Sequence, residues 1–135
     1  MESRLIDLSK YRLDRAREDL KASKIDLENR QYAASMNRSY YAVFHAIRAV
    51  NSLEGFDSRK HAGVISYFNQ AFLKTGRIHD GRKMSEIIKD ARRFREKSDY
   101  EDFFIAARDD AEEQLQNAVL FVHIISSYLE EIYPG

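Results

Sequence analysis

The chain has 135 residues with 22 basic and 22 acidic side chains, so its formal net charge is zero. That length fits one hydrophobic core, and the neutral balance argues against the strongly basic coat of a non-specific nucleic-acid binder. The absence of cysteine excludes disulfides and thiolate metal sites. No apolar run approaches the ~20 residues that span a bilayer, and the charged opening "MESRLIDLSKYRLDRARED" has no signal-peptide core, so a cytoplasmic protein without a membrane partner is expected.

The elements read as helices throughout, because glycines fall only at punctuation points and the one proline, Pro134, lies beyond the last apolar pattern. A first helix is expected from about Ser3 to Asn29, with Ile6, Leu13, Leu20 and Leu27 recurring every heptad and Ala16 and Ser23 between them. A second runs from about Gln31 to Leu53 and stops near Gly55. Ser58 is the expected cap of a third, whose Val64, Ile65, Phe68 and Phe72 share a face before Gly76 ends it. After the loop "TGRIHDG", a shorter helix from about Arg82 to Lys97 turns Met84, Ile87, Ile88, Ala91 and Phe94 inward. "SDYEDFF" breaks that pattern, and a last helix is expected from about Ile105 to Ile132, with Ala111, Leu115, Ala118, Val122, Ile125, Leu129 and Ile132 spaced alternately four and three apart. Three long and two shorter helices, about five in all, make residues 1–135 one all-α domain: an up-and-down antiparallel bundle in which the first and last helices pack beside the second.

Charge is unevenly placed. Residues 74–97 hold nine Lys or Arg against four acids, and residues 99–131 hold nine acids against Arg108 alone. Solvated helix faces account for this, and so does a local basic patch that meets phosphates.

The stretch "NRSYYAVFHAIRAV" at 37–50 carries the chemistry. Met36, Tyr40, Val43, Ile47 and Val50 form one wedge of the second helix, flanked by Phe44. Arg38 and His45 lie nearly opposite, within roughly 20° of each other around the axis. Ala34, Tyr41, Ala42, Ala49 and Ser52 surround them, with Arg48 at the edge. A solvent face would carry Lys and Glu. This one is alanine-rich, which predicts that a partner subunit or a cleft covers it.

Arginine plus histidine suits metal-independent RNA cleavage. An imidazole moves protons near neutral pH, and a guanidinium grips a phosphate by paired hydrogen bonds. The ribose 2′-hydroxyl supplies the nucleophile, so no cofactor is expected. His61 and His79 lack metal-ligand spacing with each other, so no metal site is expected either. A packing role for the Arg38–His45 stripe is the competing reading.

Three segments, "NRSYYAVFHAIRAV", "KHAGVISYFNQAFLKTG" at 60–76 and "SDY" at 98–100, resemble the HEPN superfamily and its small stand-alone prokaryotic branch. The resemblance implies an antiparallel helical bundle that often forms homodimers. Many members are toxins or defence ribonucleases with an arginine, four to six residues and a histidine, contributed by both protomers. Arg38 and His45 match that motif with six residues between them. Tyr41, Arg48, Lys60 and His61, the last two within the "KHAG" signature of this branch, are candidate binding residues for RNA or nucleotide, with helix capping after Ser58 the competing role for His61. The family's frequent companion is a minimal nucleotidyltransferase acting as antitoxin. Two departures stand out. Ser39 follows the arginine where many active members have Asn, Asp or His, and Ile47 replaces the tyrosine that such a partner nucleotidylates. Other HEPN domains are non-catalytic nucleotide-binding or partner-binding modules, which is the alternative function for this chain.

Overall fold

The computed structural model describes residues 2–100 and 105–135, with Tyr100 described by its backbone alone. Five α-helices follow in order: α1 (Ser3–Glu28), α2 (Tyr32–Leu53), α3 (His61–Phe68), α4 (Gly81–Tyr100) and α5 (Arg108–Ile132), with a π-helical turn at Asn69–Leu73. Among the described residues there is no strand, and no helix is long and apolar enough to cross a membrane.

The fold is the expected all-α bundle. Paired residues on α1 and α2 run in opposite order, Ser9 with Ala49, Arg12 with Ser52 and Ser23 with Ser35, so these helices are antiparallel. Helix α5 runs antiparallel to α1 as well, with Tyr133 against Ser9 and Ser126 against Arg17. Arg77, just before α4, pairs with Glu54 at the end of α2, whereas Arg95 late in α4 lies over Tyr40 early in α2. The four long helices thus alternate in direction, and α2 is the central one, touching α1, α3, α4 and α5.

Several boundaries differ from expectation. Helix α4 has 20 residues and includes Ser98 and Asp99, so four helices are long rather than three; the rest of the expected break, residues 101–104, lies outside the described residues. Helix α5 begins at Arg108, and Ile105 is 88% exposed. Ser58 does not cap α3: Lys60 occupies the N-cap without a side-chain bond, and the Ser58 hydroxyl accepts the Lys60 amide at 3.2 Å, tightening the loop ahead. The expected stop at Gly55 holds: it takes φ 69°, and the Phe56 amide reaches back to the Asn51 carbonyl.

The apolar wedge of α2 is buried as expected, with Met36, Tyr40, Val43, Phe44, Ile47 and Val50 in the interior. The opposite face is buried only in part: Ala34 and Arg38 are exposed and Tyr41, His45 and Arg48 half-buried, while its small residues are covered. Ala42 and Ala49 are 0% exposed and Ser52 1%. Their cover is α1 of the same chain, so the alanine-rich composition does not require a second subunit. Small residues are needed there because α1 approaches closely. Ser23, for example, bonds the Ser35 carbonyl at 2.8 Å and the Ser39 hydroxyl at 2.8 Å.

Candidate functional site

Helix α1 buries more than its apolar heptad. Ser9, Arg12, Ala16, Asp19 and Ser23, spaced three and four apart, form a second stripe that faces α2. A carboxylate inside a helix interface must be paired. Asp19, whose side chain is 8% exposed, is paired twice: His45 Nδ1 lies 2.8 Å from Oδ2, and Arg38 Nη1 lies 3.6 Å from Oδ1. One carboxylate of α1 therefore gathers the two α2 residues singled out by sequence.

The pairing fixes chemistry. An ionised carboxylate only accepts hydrogen bonds, so His45 Nδ1 must donate. In the neutral ring Nε2 then carries the lone pair, and among the described residues it bonds to nothing. Arg38 is anchored at one end while its side chain stays 53% exposed, so its remaining donors reach solvent. Tyr11, Arg15, Glu18, Asp19, Ala22 and Arg38 line a shallow depression at this place.

A second cluster adjoins the first. His61 opens α3, and its Nδ1 lies 2.7 Å from the Tyr40 hydroxyl while its ring stacks on Phe44 at 4.0 Å. Burial, then Arg95, Arg92, Arg48 and His45, hold the His61 imidazole below its ordinary value. In the neutral ring Nδ1 accepts a hydrogen bond from the Tyr40 hydroxyl when the ring proton sits on Nε2, the tautomer that the Arg95 Nη1 donor 3.5 Å from Nδ1 also favours. Tyr41 stands between the clusters, 5.9 Å from the His45 ring and 6.1 Å from that of His61. The Arg95 guanidinium lies over both Tyr40 and Tyr41.

Arg48 is held by Asp57 at 3.2 Å, and the same carboxylate takes Arg12 at 3.1 Å. Partial burial alone would raise the Asp57 carboxyl, but the Ser58 amide, Arg48 and Arg12 outweigh it and hold the group below its usual range. Arg48, Phe44, Asp57, Ser58, Arg59 and His61 line an open cleft of about 450 Å³. The structure thus brings together Arg38, His45 and Tyr41, and next to them His61 and Arg48. Lys60 is exposed at the start of α3, and its side chain makes no hydrogen bond or ion pair with these residues among those described.

Asp19 was absent from the sequence-based site. Its signal is the polar residues at helical spacing beside the leucine heptad, which mark a helix face that is buried without being apolar. Ser39 is 1% exposed and bonds Ser23, so it belongs to the α1–α2 contact rather than to the open site. Ile47 is 0% exposed, so that position is closed to any modifying partner in this fold.

A helical bundle with a histidine and an arginine converging on one helix is the arrangement that the sequence resemblance anticipated. The family model of the HEPN domain matches residues 9–130. The chain belongs to the HEPN domain family. It is similar to a Methanocaldococcus jannaschii protein named "Putative toxin", with 36% identity over 119 residues, 87% of this chain and 85% of that protein. A second protein of that organism with the same description is 26% identical over 87% of this chain and 78% of its own length. A Thermotoga maritima protein named "UPF0332 protein" is 28% identical over 87% of this chain and 88% of its own.

Proposed function

We propose that this chain is a metal-independent endoribonuclease and the toxin half of a pair whose antitoxin is a minimal nucleotidyltransferase. One observation carries the catalytic part: buried Asp19 holds both His45 and Arg38, leaving an imidazole Nε2 and guanidinium donors to act on one substrate. A packing histidine would spend both ring nitrogens on the fold. Here one is spent on orientation, and the other has no hydrogen-bond partner among the described residues. The names of the Methanocaldococcus relatives support the toxin part.

In this reading Arg38 grips the scissile phosphate. His45 Nε2 takes the proton from the ribose 2′-hydroxyl, whose oxygen attacks the adjacent phosphorus, and the bond to the 5′-oxygen breaks. The leaving oxygen needs a proton, which a second imidazole supplies if two copies meet at this edge. The half-exposed Arg38 and the 57% exposed Tyr11 beside it form the rim available for such a homodimer.

The test is cleavage of RNA by the purified protein beside Arg38→Ala and His45→Ala. The reading expects both variants to lose about 10²-fold or more. Full activity in both would refute it. A folded, partner-free protein that cuts no RNA would favour the non-catalytic binding module.

A further inference from the structure

Helix α4 carries a basic stripe that the site does not use. Arg82, Ser85, Lys89 and Arg92 follow one another at spacings of three, four and three, so they share one face over about 15 Å of helix. That face looks across an open cleft of about 530 Å³ at α3 and the π-turn, where Gln70 and Lys74 complete the lining. No acidic side chain lines this cleft among the described residues.

Among the described residues, other arginines near it are paired, although Lys83 and Lys97 on the same helix are not. Arg77 is neutralised by Glu54, Arg93 by Asp90 and Arg95 by Asp99. Lys74, Arg82, Lys89 and Arg92 form no ion pair among the described residues, whereas Arg77, Arg93 and Arg95 do. Four like charges held around a concavity raise the local potential for a polyanion. The π-turn contributes Gln70 to the wall, and π-helical turns recur where a helix is shaped for function.

The cleft also has a direction. Arg92 lies at the end nearest His61 and Tyr40, and its charge acts on both rings. Ala62 in the cleft wall is the residue after His61. From there Tyr41 leads to His45.

We propose that this cleft carries the phosphate backbone of a single RNA strand whose next nucleotides enter the Arg38–His45 site. The proposal rests on the ribonuclease reading for the identity of the strand, and on charge and shape for its path. Contact is to phosphates, so it is sequence-tolerant. Each neutralised phosphate of a single strand adds about 0.7 to the steepness with which log affinity falls against log salt. Four cations therefore give a slope of about −2.8.

The experiment uses the full chain and a labelled RNA oligonucleotide with 2′-O-methyl sugars throughout, which keeps the ribose framework but cannot be cut by 2′-hydroxyl attack. Binding is followed by fluorescence anisotropy over a salt series. The double variant Arg82→Gln/Lys89→Gln should bind severalfold more weakly, with a slope shallower by about 1.4. Lys21→Gln/Lys24→Gln, on the exposed side of α1, should match the unmodified protein. Equal thermal midpoints confirm that the fold is kept, and Lys74→Gln is the replacement variant if the double one is destabilised. Unchanged affinity and slope in the cleft variants would overturn the proposal. So would absence of binding by the unmodified protein, which would point to an acidic protein as occupant. Binding with the expected slope change supports the path even if the same protein proves unable to cleave RNA, so the two readings fail separately.

Discussion

Asp19 on α1 and His45 on α2 are joined by a 2.8 Å contact between a side chain 8% exposed and one 14% exposed. Twenty-six residues separate them in sequence. The bond ties the first helical hairpin together and sets which imidazole nitrogen faces outward. Fold and chemistry meet in one carboxylate.

Asp19→Asn tests the chemical half of that role. The amide keeps the size but can donate as well as accept, so the Nδ1–H tautomer is no longer enforced. RNA cleavage should fall by about 10²-fold or more, while far-ultraviolet circular dichroism stays unchanged. Asp19 acts through His45, so the loss should appear in kcat with KM for RNA nearly constant. Retained kcat would reduce Asp19 to a packing role.

The structural half is tested by denaturation. His45→Ala leaves a buried carboxylate with only the longer Arg38 contact, and should cost about 1–3 kcal/mol. Arg38→Ala, at a half-exposed side chain, should cost less than about 1 kcal/mol. In a double-mutant cycle, Asp19→Asn combined with His45→Ala should be less destabilising than the sum of the single changes. Strict additivity would show that the two residues do not interact.

Ala42→Glu separates two origins for the alanine-rich face of α2. Ala42 is 0% exposed against α1, so a glutamate there buries an unpaired charge inside one chain. The variant should unfold at lower denaturant concentration whatever its oligomeric state. Light scattering showing a stable, fully folded monomer would instead place that face at a subunit boundary.

His61 sets a pH dependence. Its pKa is lowered in the folded protein by burial and by Arg95, Arg92, Arg48 and His45. The unfolded chain therefore binds the proton more readily, and stability should fall as pH drops below about 6.5. Protonation also removes the acceptor for the Tyr40 hydroxyl. Urea unfolding between neutral and mildly acidic pH should show this decline, and His61→Gln should flatten it. An equal slope in the variant would assign the effect to other groups.

Helix number, the apolar wedge of α2 and the Arg38–His45 stripe were legible because 3.6-residue periodicity reports directly on which side chains share a face. Asp19 was not, since hydropathy treats a buried carboxylate as a surface residue; only its spacing from Ser9, Arg12, Ala16 and Ser23 betrays it. The same limit applied to the alanines of α2. Their small size reads as burial, but the burying surface, α1, is itself lined by serine, arginine and aspartate. The start of α3 was placed too early because Ser58 has the chemistry of a cap, whereas its hydroxyl serves the loop amide of Lys60. The π-turn leaves no mark in residue pattern, since Phe68 and Phe72 keep ordinary helical spacing.

The most direct measurement is cleavage of an RNA oligonucleotide beside the same oligonucleotide carrying one 2′-deoxy sugar at the cut position, with product ends analysed by mass spectrometry. If Arg38 and His45 direct the 2′-hydroxyl onto its neighbouring phosphorus, the all-ribose strand yields a 2′,3′-cyclic phosphate, EDTA leaves the rate unchanged, and the deoxy position is not cut. Cleavage at the deoxy position, or products with a 5′-phosphate and a free 3′-hydroxyl, would contradict it.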